Sequence, residues 1–345
     1  MIENESFSML DYKDNDWMSY VSSHLESHIF HHPKWLGFLA KCYEYHPFIA
    51  VVKDGLGKIT AGLPVMELSG FNKNRRWVSL PFSDHCYPLC STRKSLITLE
   101  KGLLNAAQSE NISDLELRWK YQSHELFQSS DHVLTTTKLF SDNSQVSRNI
   151  KGNDFRKVRL GLKRGVQIEK VTSLDGMKAF YQMHLETRRR LGVPIQPWRF
   201  FQILAEDVIQ SGLGFISLAK HEGEYIAGII LLNWNKTLVY KFSASSMKGR
   251  QLAASYPLTW DAINWGCENQ YTTFDWGRSD LEDTGLREFK KRWASDEKAL
   301  VYSKNKIAGS SKFLTKVKPL VKTIITKSPL WVCRLSGELL YRYFG

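Results

Sequence analysis

The chain repeats itself, and this constrains its fold more than any other feature. Residues 48–65 read FIAVVKDGLGKITAGLPV and residues 215–231 read FISLAKHEGEYIAGIIL. One single-residue gap brings Phe48 onto Phe215, Lys53 onto Lys220, and Ala61-Gly62 onto Ala227-Gly228. Each segment is two apolar runs around a Gly-containing turn, the signature of a β-hairpin. Upstream, HPKWLGFLAK (32–41) parallels QPWRFFQILAE (196–206), with Pro33 and Pro197 opening aromatic-rich helices in the first turn, where proline is tolerated. Downstream, SENISDLELR (109–118) parallels CENQYTTFDWGR (267–278), each a helix end followed by a short strand carrying an acid, Glu116 or Asp275. Three similarities keep one order at an offset of about 160 residues, as a duplicated unit requires.

Each half therefore reads helix, hairpin, further strand, helix, strand, which predicts an α/β fold with a mixed central sheet flanked by helices in each domain. In the second half, helices are expected near 176–190, 197–211 and 256–270, and strands near 214–220, 225–233, 237–244 and 272–276. A length of 345 residues suits two domains of roughly 150 each. The polar run SDNSQVSRN puts the boundary near 147/148, giving domains 1–147 and 148–305 and a separate tail, 306–345.

Formal net charge is +12, which favours anionic partners. The tail contributes +7 of it, from eight Lys or Arg against Glu338, and interleaves apolar residues such as Phe313, Val317 and Ile324 with Lys312, Lys316, Lys318 and Lys322. Such a basic amphipathic segment fits an anionic membrane face, and equally a terminal helix with a solvated basic rim. Residues 148–170 carry eight basic and two acidic residues. They suit a diphosphate, a tRNA acceptor arm, or simply a solvated helix face. Five scattered cysteines give neither a disulfide framework nor zinc spacing, and no metal site is expected. The first 16 residues lack the basic and apolar regions of a signal peptide, and no run reaches the roughly 20 apolar residues of a membrane span, so a cytoplasmic protein is expected.

The second half resembles the Fem-like aminoacyltransferases and their relatives in polysaccharide gene clusters, which are tandem GNAT-type folds. The phrases that carry the resemblance include HLETRRRLGVPIQPWRFFQIL (184–204), YIAGIILLNWNKTLVYKFSAS (225–245), YPLTWDAINWG (256–266), FDWGRS (274–279) and GLREFKKRW (285–293). FHHPKWLGFL (30–39) and LPFSDHCYPL (80–89) add to it from the first half. The resemblance implies transfer of an acyl or aminoacyl group to an amine of a peptidoglycan or polysaccharide precursor. The donor it implies is aminoacyl-tRNA or acyl-CoA, with no tightly bound cofactor. The chain departs from the family in two ways. It has no heptad run for a coiled-coil arm, and its nearest segment to a pyrophosphate loop, GRQLAASY (249–256), has alanines in place of glycines. A non-catalytic, membrane-peripheral binding protein of a polysaccharide assembly system is the competing class.

Direct transfer to an amine requires a deprotonated amine, a stabilised tetrahedral oxyanion and a protonated leaving group. No nucleophile motif such as GxSxG is present, in keeping with a route that forms no covalent enzyme intermediate. The resemblance makes Lys290, in FKKRW, the candidate for the oxyanion; spacing alone would leave it a solvated helix lysine. Asp275 ends a strand beside Gly277 and suits either an amine-orienting carboxylate or a backbone-bonding turn residue. Arg190 completes the family's T-x-x-R spacing from Thr187 and offers a fork for a phosphate or carboxylate, a role open also to Arg188 and Arg189, or is merely a cation at a helix end. Tyr240 shares a strand face with Phe242 and Ala244 by strict alternation, opposite Lys241, Ser243 and Ser245, and reads as core or substrate-binding. In the first half, Lys41 and Asp84 are candidates for acceptor binding. Asp84 and His85, being adjacent on an extended segment, point apart. The second half holds more of these candidates than the first, so one active cleft, at or near the interface between the halves, is expected rather than two equivalent ones.

Overall fold

The computed structural model of the protein describes residues 5–305 apart from 70–73, 123–124, 149 and 151, together with 325–330 and 334. In chain order the elements begin with β1 (Ser6–Asp11), α1 (Asn15–Ser23), α2 (Pro33–Tyr43), β2 (His46–Lys53), β3 (Ile59–Ser69), β4 (Arg75–Ser79), β5 (Leu89–Cys90), α3 (Arg93–Ser109) and β6 (Asp114–Leu117). They continue with β7 (Phe127–Lys138), α4 (Asn143–Ser147), α5 (Gly152–Lys163), β8 (Gln167–Val171), α6 (Leu174–Leu191) and α7 (Trp198–Ile203). Last come β9 (Gly214–His221), β10 (Glu224–Trp234), β11 (Thr237–Ser245), α8 (Met247–Gln251), α9 (Ser255–Glu268), β12 (Thr273–Asp280), α10 (Thr284–Lys291) and β13 (Asp296–Lys304).

The chain divides into two compact units. Of the described residues, one comprises those of 5–133 and 299–305, and the other those of 134–298 with 325–330 and 334. The crossing at 133/134 lies inside β7, upstream of the polar run in which the sequence places a linker. That run is folded: it forms α4, whose Val146 joins the core of the second unit and whose Asn143 donates to the Asn264 carbonyl at 3.0 Å.

Within each unit the strands follow the same plan. The first unit runs β1-β2-β3-β4-β6-β13 and the second runs β8-β9-β10-β11-β12-β7. In both, the first four strands form an antiparallel meander and the fifth joins in parallel, Val78 beside Glu116 in one and Val239 beside Asp275 in the other. The sixth strand in each comes from the distant crossing segment. In the first unit, Ser303 pairs with Leu117 and its hydroxyl accepts from Tyr121 N at 2.9 Å. In the second, Leu139 N donates to Thr272 O at 2.8 Å, just beyond β7.

Turn chemistry explains the hairpins. Between β9 and β10, Glu222 and Gly223 both have positive φ (51° and 84°), and between β10 and β11 Asn235 and Lys236 do as well (41° and 64°). These are two-residue turns whose twist matches the flanking strands. Between β2 and β3 the longer loop is held by Asp54 Oδ1, which accepts from Leu56 N and Lys58 N at 2.9 Å. α6 is capped by Ser173, whose hydroxyl accepts from Gly176 N, and is stopped by Gly192 in the left-handed region. Its buried Met177, Phe180, Tyr181, His184 and Leu185 recur at helical spacing and pack on the sheet. α7 continues past Ile203 into wider π-type turns that end at Gly212 (φ 84°). Among the described residues no helix is long and apolar enough to cross a membrane. The membrane expectation for the tail, on residues 312–345, lies outside the described residues apart from 325–330 and 334.

Candidate active site

The second unit contains a cavity of about 220 Å³ where two parallel strands part. β11 and β12 are paired from Thr237–Thr273 to Val239–Asp275 and no further. Beyond that point β11 contributes Tyr240, Ser243, Ala244 and Ser245 to the cavity wall, and β12 contributes Trp276. α10 supplies Leu286, Phe289 and Lys290, α9 supplies Ser255 and Leu258, and the end of α6 supplies Thr187, Arg190 and Leu191. The wall is mostly apolar, with a small set of polar groups converging on it, as expected of a ligand site.

Lys290 is 4% exposed, the one buried residue of α10. Its Nζ donates to Gly277 O at 3.0 Å and to Arg278 O at 2.9 Å, the carbonyls of the strand that bounds the cavity. It is not the solvated lysine that spacing alone suggests. Its neighbours Lys291 and Arg292 instead have carboxylate partners, Lys291 with Glu297 at 3.4 Å and Arg292 with Asp154 at 3.3 Å.

Tyr240 is half-buried, and burial pushes its hydroxyl up to about 12, against the opposing pull of the Ser243 and Thr259 hydroxyls. At neutral pH it is a protonated donor. Strict alternation would turn Ser243 away from Tyr240, and here the structure corrects the sequence. Ile230 pairs with Phe242 but Leu231 pairs with Tyr240, so Lys241 is an extra residue, a β-bulge. The bulge brings Tyr240 and Ser243 to the same wall.

Arg190 reaches the cavity from the last turn of α6 and also lines a second compartment of about 270 Å³ with Arg189, Arg250, Glu186, Thr326 and Leu330. Burial, then the nearby Arg250 charge, lower its affinity for its proton. Thr187, known from the sequence only as the start of the T-x-x-R spacing, and His184, which the sequence left unremarked, fix this end of β11. Thr187 Oγ1 accepts from Ser245 N at 3.1 Å, and His184 Nδ1 lies 3.3 Å from Ser243 O. Burial, chiefly, holds His184 down to about 3, so its ring is neutral. The i, i+3, i+6 spacing of His184, Thr187 and Arg190 on one helix was the signal available.

Asp275 is placed differently from the expectation. It sits within β12 rather than at its end, is 3% exposed, and does not line the cavity. Its Oδ1 accepts from Gly277 N at 2.7 Å, and Gly277 has φ +67°. The carboxylate therefore shapes the bend whose carbonyl holds Lys290. Lys41 and Asp84 belong to the first unit. Lys41 is exposed in the last turn of α2. Asp84 is half-buried, and its backbone carbonyl accepts from Tyr302 Oη at 2.6 Å. The structure thus gathers Lys290, Arg190 and Tyr240 in one cavity, with Asp275 behind it.

The segment 249–256 folds as α8, a turn, and the start of α9. A Cβ on Gly249 would lie 2.1 Å from Ile226 O, so this position requires glycine. Ala253 takes a left-handed conformation (φ 54°) in the turn, where glycine would be unstrained. Of the five cysteines, the four described ones are not in disulfides.

The family model for the acetyltransferase (GNAT) domain matches residues 148–291, the segment that contains the entire cavity. Residues 148–291 are a GNAT-type acyltransferase domain. Solved structures extend the fold across the chain. FemX superposes with a TM-score of 0.70 at 14% identity, covering 91% of this chain and all of FemX. L-PGS from Bacillus licheniformis gives 0.56 at 15% identity, covering 92% and 98%. A tandem GNAT protein from the clavulanic acid biosynthesis pathway gives 0.51 at 10% identity, covering 88% and 100%. At these identities the likeness is one of fold. Among curated proteins no sequence matches the chain significantly.

Proposed function

We propose that the GNAT domain transfers an acyl or aminoacyl group directly to an amine on a cell-envelope precursor, of peptidoglycan or polysaccharide type. The observation that carries this reading is the convergence of a buried ammonium, Lys290, and a protonated phenol, Tyr240, on one largely apolar cavity. The neutral amine attacks the donor carbonyl carbon, and a C–N bond forms. Lys290 stabilises the negative oxygen of the tetrahedral species. The C–O or C–S bond to the leaving group then breaks, and the Tyr240 hydroxyl supplies its proton. The amine's proton returns to the phenolate, so the enzyme ends unchanged and forms no covalent intermediate. Arg190, with Arg250 across the second compartment, suits a phosphate of the donor or of the acceptor. Asp275 acts through the Gly277 bend as a positioning residue. Lys41 and Asp84 in the first unit are assigned to acceptor binding.

The fold likeness to FemX and to L-PGS supports an envelope substrate, and aminoacyl-tRNA or acyl-CoA as donor. The two units are taken as two GNAT-like domains, with the tail at 306–345 resting on an anionic membrane on the cytoplasmic side. The test is transfer by the full chain from radiolabelled acetyl-CoA and from charged tRNA, in separate reactions, to an amine-bearing envelope precursor. Label should appear in acid-stable amide from one donor. No label from either donor would sink the proposal.

A further inference from the structure

The outer face of α5 is the feature that acyl transfer leaves unused. Its inner face packs on α9. Val158 and Gly161 are buried, a Cβ on Gly161 would meet Pro257 at 2.9 Å, and Phe155 stacks edge-on against Trp260 at 4.8 Å. Asp154, also buried, binds Lys157 at 3.6 Å and Arg292 at 3.3 Å. The acid of the helix is thus turned inward and neutralised. What remains outside is Arg156, Arg159, Lys163 and Arg164, together with Leu160 and Leu162, which are 39% and 51% exposed.

None of these four cations pairs with a carboxylate among the described residues. Arg156 bonds the Asn153 side chain at 3.1 Å, and Arg164 bonds Gln251 O at 3.2 Å. At 100° per residue, Arg156, Arg159 and Lys163 form one ridge, and Leu160 and Leu162 fall on either side of it. A cation ridge bracketed by exposed leucines matches a surface with negative charge outside and hydrocarbon just beneath. Long cationic side chains lay their stems along such a boundary with their heads at the phosphates, while the leucines enter it. A nucleic-acid backbone would engage the cations equally but has no use for the leucines.

We infer that the outer face of α5 docks the GNAT domain on an anionic phospholipid surface. The docking helix lies one layer from the cavity, because α9 carries α5 on Pro257 and Trp260 and lines the cavity with Ser255 and Leu258. A bound membrane would hold the cavity near amines that belong to lipid-linked molecules. The inference does not depend on which group is transferred, nor on the tail.

The test is flotation of the full chain with vesicles of equimolar phosphatidylglycerol and phosphatidylcholine, against phosphatidylcholine alone. Wild type should float with the anionic vesicles only. Neutralising the ridge in R156Q/R159Q/K163Q should weaken binding on the order of a hundredfold, at about fivefold per cation. L160S/L162S, which leaves every charge in place, should weaken it roughly tenfold. All these positions are exposed, so thermal unfolding should match wild type. The inference is overturned if wild type does not float, or if both variants float as wild type does. It is also overturned if the ridge variant loses binding while the leucine variant keeps it. That last pattern, with displacement of the protein by added RNA, would assign the face to a polyanion instead.

Discussion

Replacing Lys290 by methionine isolates its charge, because methionine keeps most of the buried stem. In the wild type the ammonium holds Gly277 O and Arg278 O at 3.0 and 2.9 Å from within the cavity wall. Loss of one preorganised oxyanion donor costs about 100- to 1000-fold in kcat, or roughly 3–4 kcal/mol. Loss of hydrogen bonds from a charged donor costs about 1.5–3 kcal/mol of stability, partly offset because a buried charge is also removed. For a unit of this size that is a fall in Tm of at most about 10 °C. The assay is therefore steady-state transfer at 20 °C, with circular dichroism melts of the same samples. An interaction made only in the transition state lowers kcat and kcat/KM together and leaves KM nearly unchanged. If folded K290M retains kcat within tenfold of wild type, or only its KM rises, Lys290 is not the oxyanion donor.

Three further perturbations follow from the geometry. Y240F removes the proton donor and should lower kcat by about 100-fold or more while KM changes little; an unaltered kcat would free Tyr240 of that role. The buried histidines His31 and His184 are each held down to about 3, chiefly by burial, and His32 to about 4. The unfolded chain therefore binds more protons, and stability is lost as pH falls from about 6.5 toward those values, by roughly 3 kcal/mol for each of His31 and His184 at pH 4.5. Urea midpoints at pH 7.5 and 4.5 measure this, and equal midpoints would contradict it. G249A forces a methyl against Ile226 O and should destabilise the GNAT domain by about 3 kcal/mol or more, read from the urea midpoint; a neutral result would mean that β10 and α8 part easily.

The elements and their repetition were legible because they are local. Gly223 and Asn235 mark tight turns, apolar residues alternate on either side, and Pro33 opens a helix, so the sequence carries each hairpin and helix on its own. The strand partners were not legible. Ser303 finds Leu117, and Leu139 finds Thr272, across more than a hundred residues, and no periodicity encodes such a match. The site was half readable for a related reason. Lys290 and Arg190 stood out through a family resemblance, whereas the burial of Lys290 came only with the fold. The role of Ser243 depended on a single extra residue at Lys241, because one inserted residue reverses the facing of every side chain after it. Asp275 was visible as an acid beside a glycine, the arrangement in which its carboxylate bonds the bend.

The sixth strands also bear on how the protein is made. Residues 299–304 complete the sheet of the first unit beside β6, yet a ribosome translates them nearly 190 residues later than the strand they join. At about 10 residues per second that is a delay of roughly 20 s, during which the edge of β6 has no permanent neighbour. An open strand edge is a template for wrong pairing. The nascent first unit thus needs either a temporary partner for that edge or a chaperone to shield it, and the protein reaches its finished form only as the last quarter of the chain emerges.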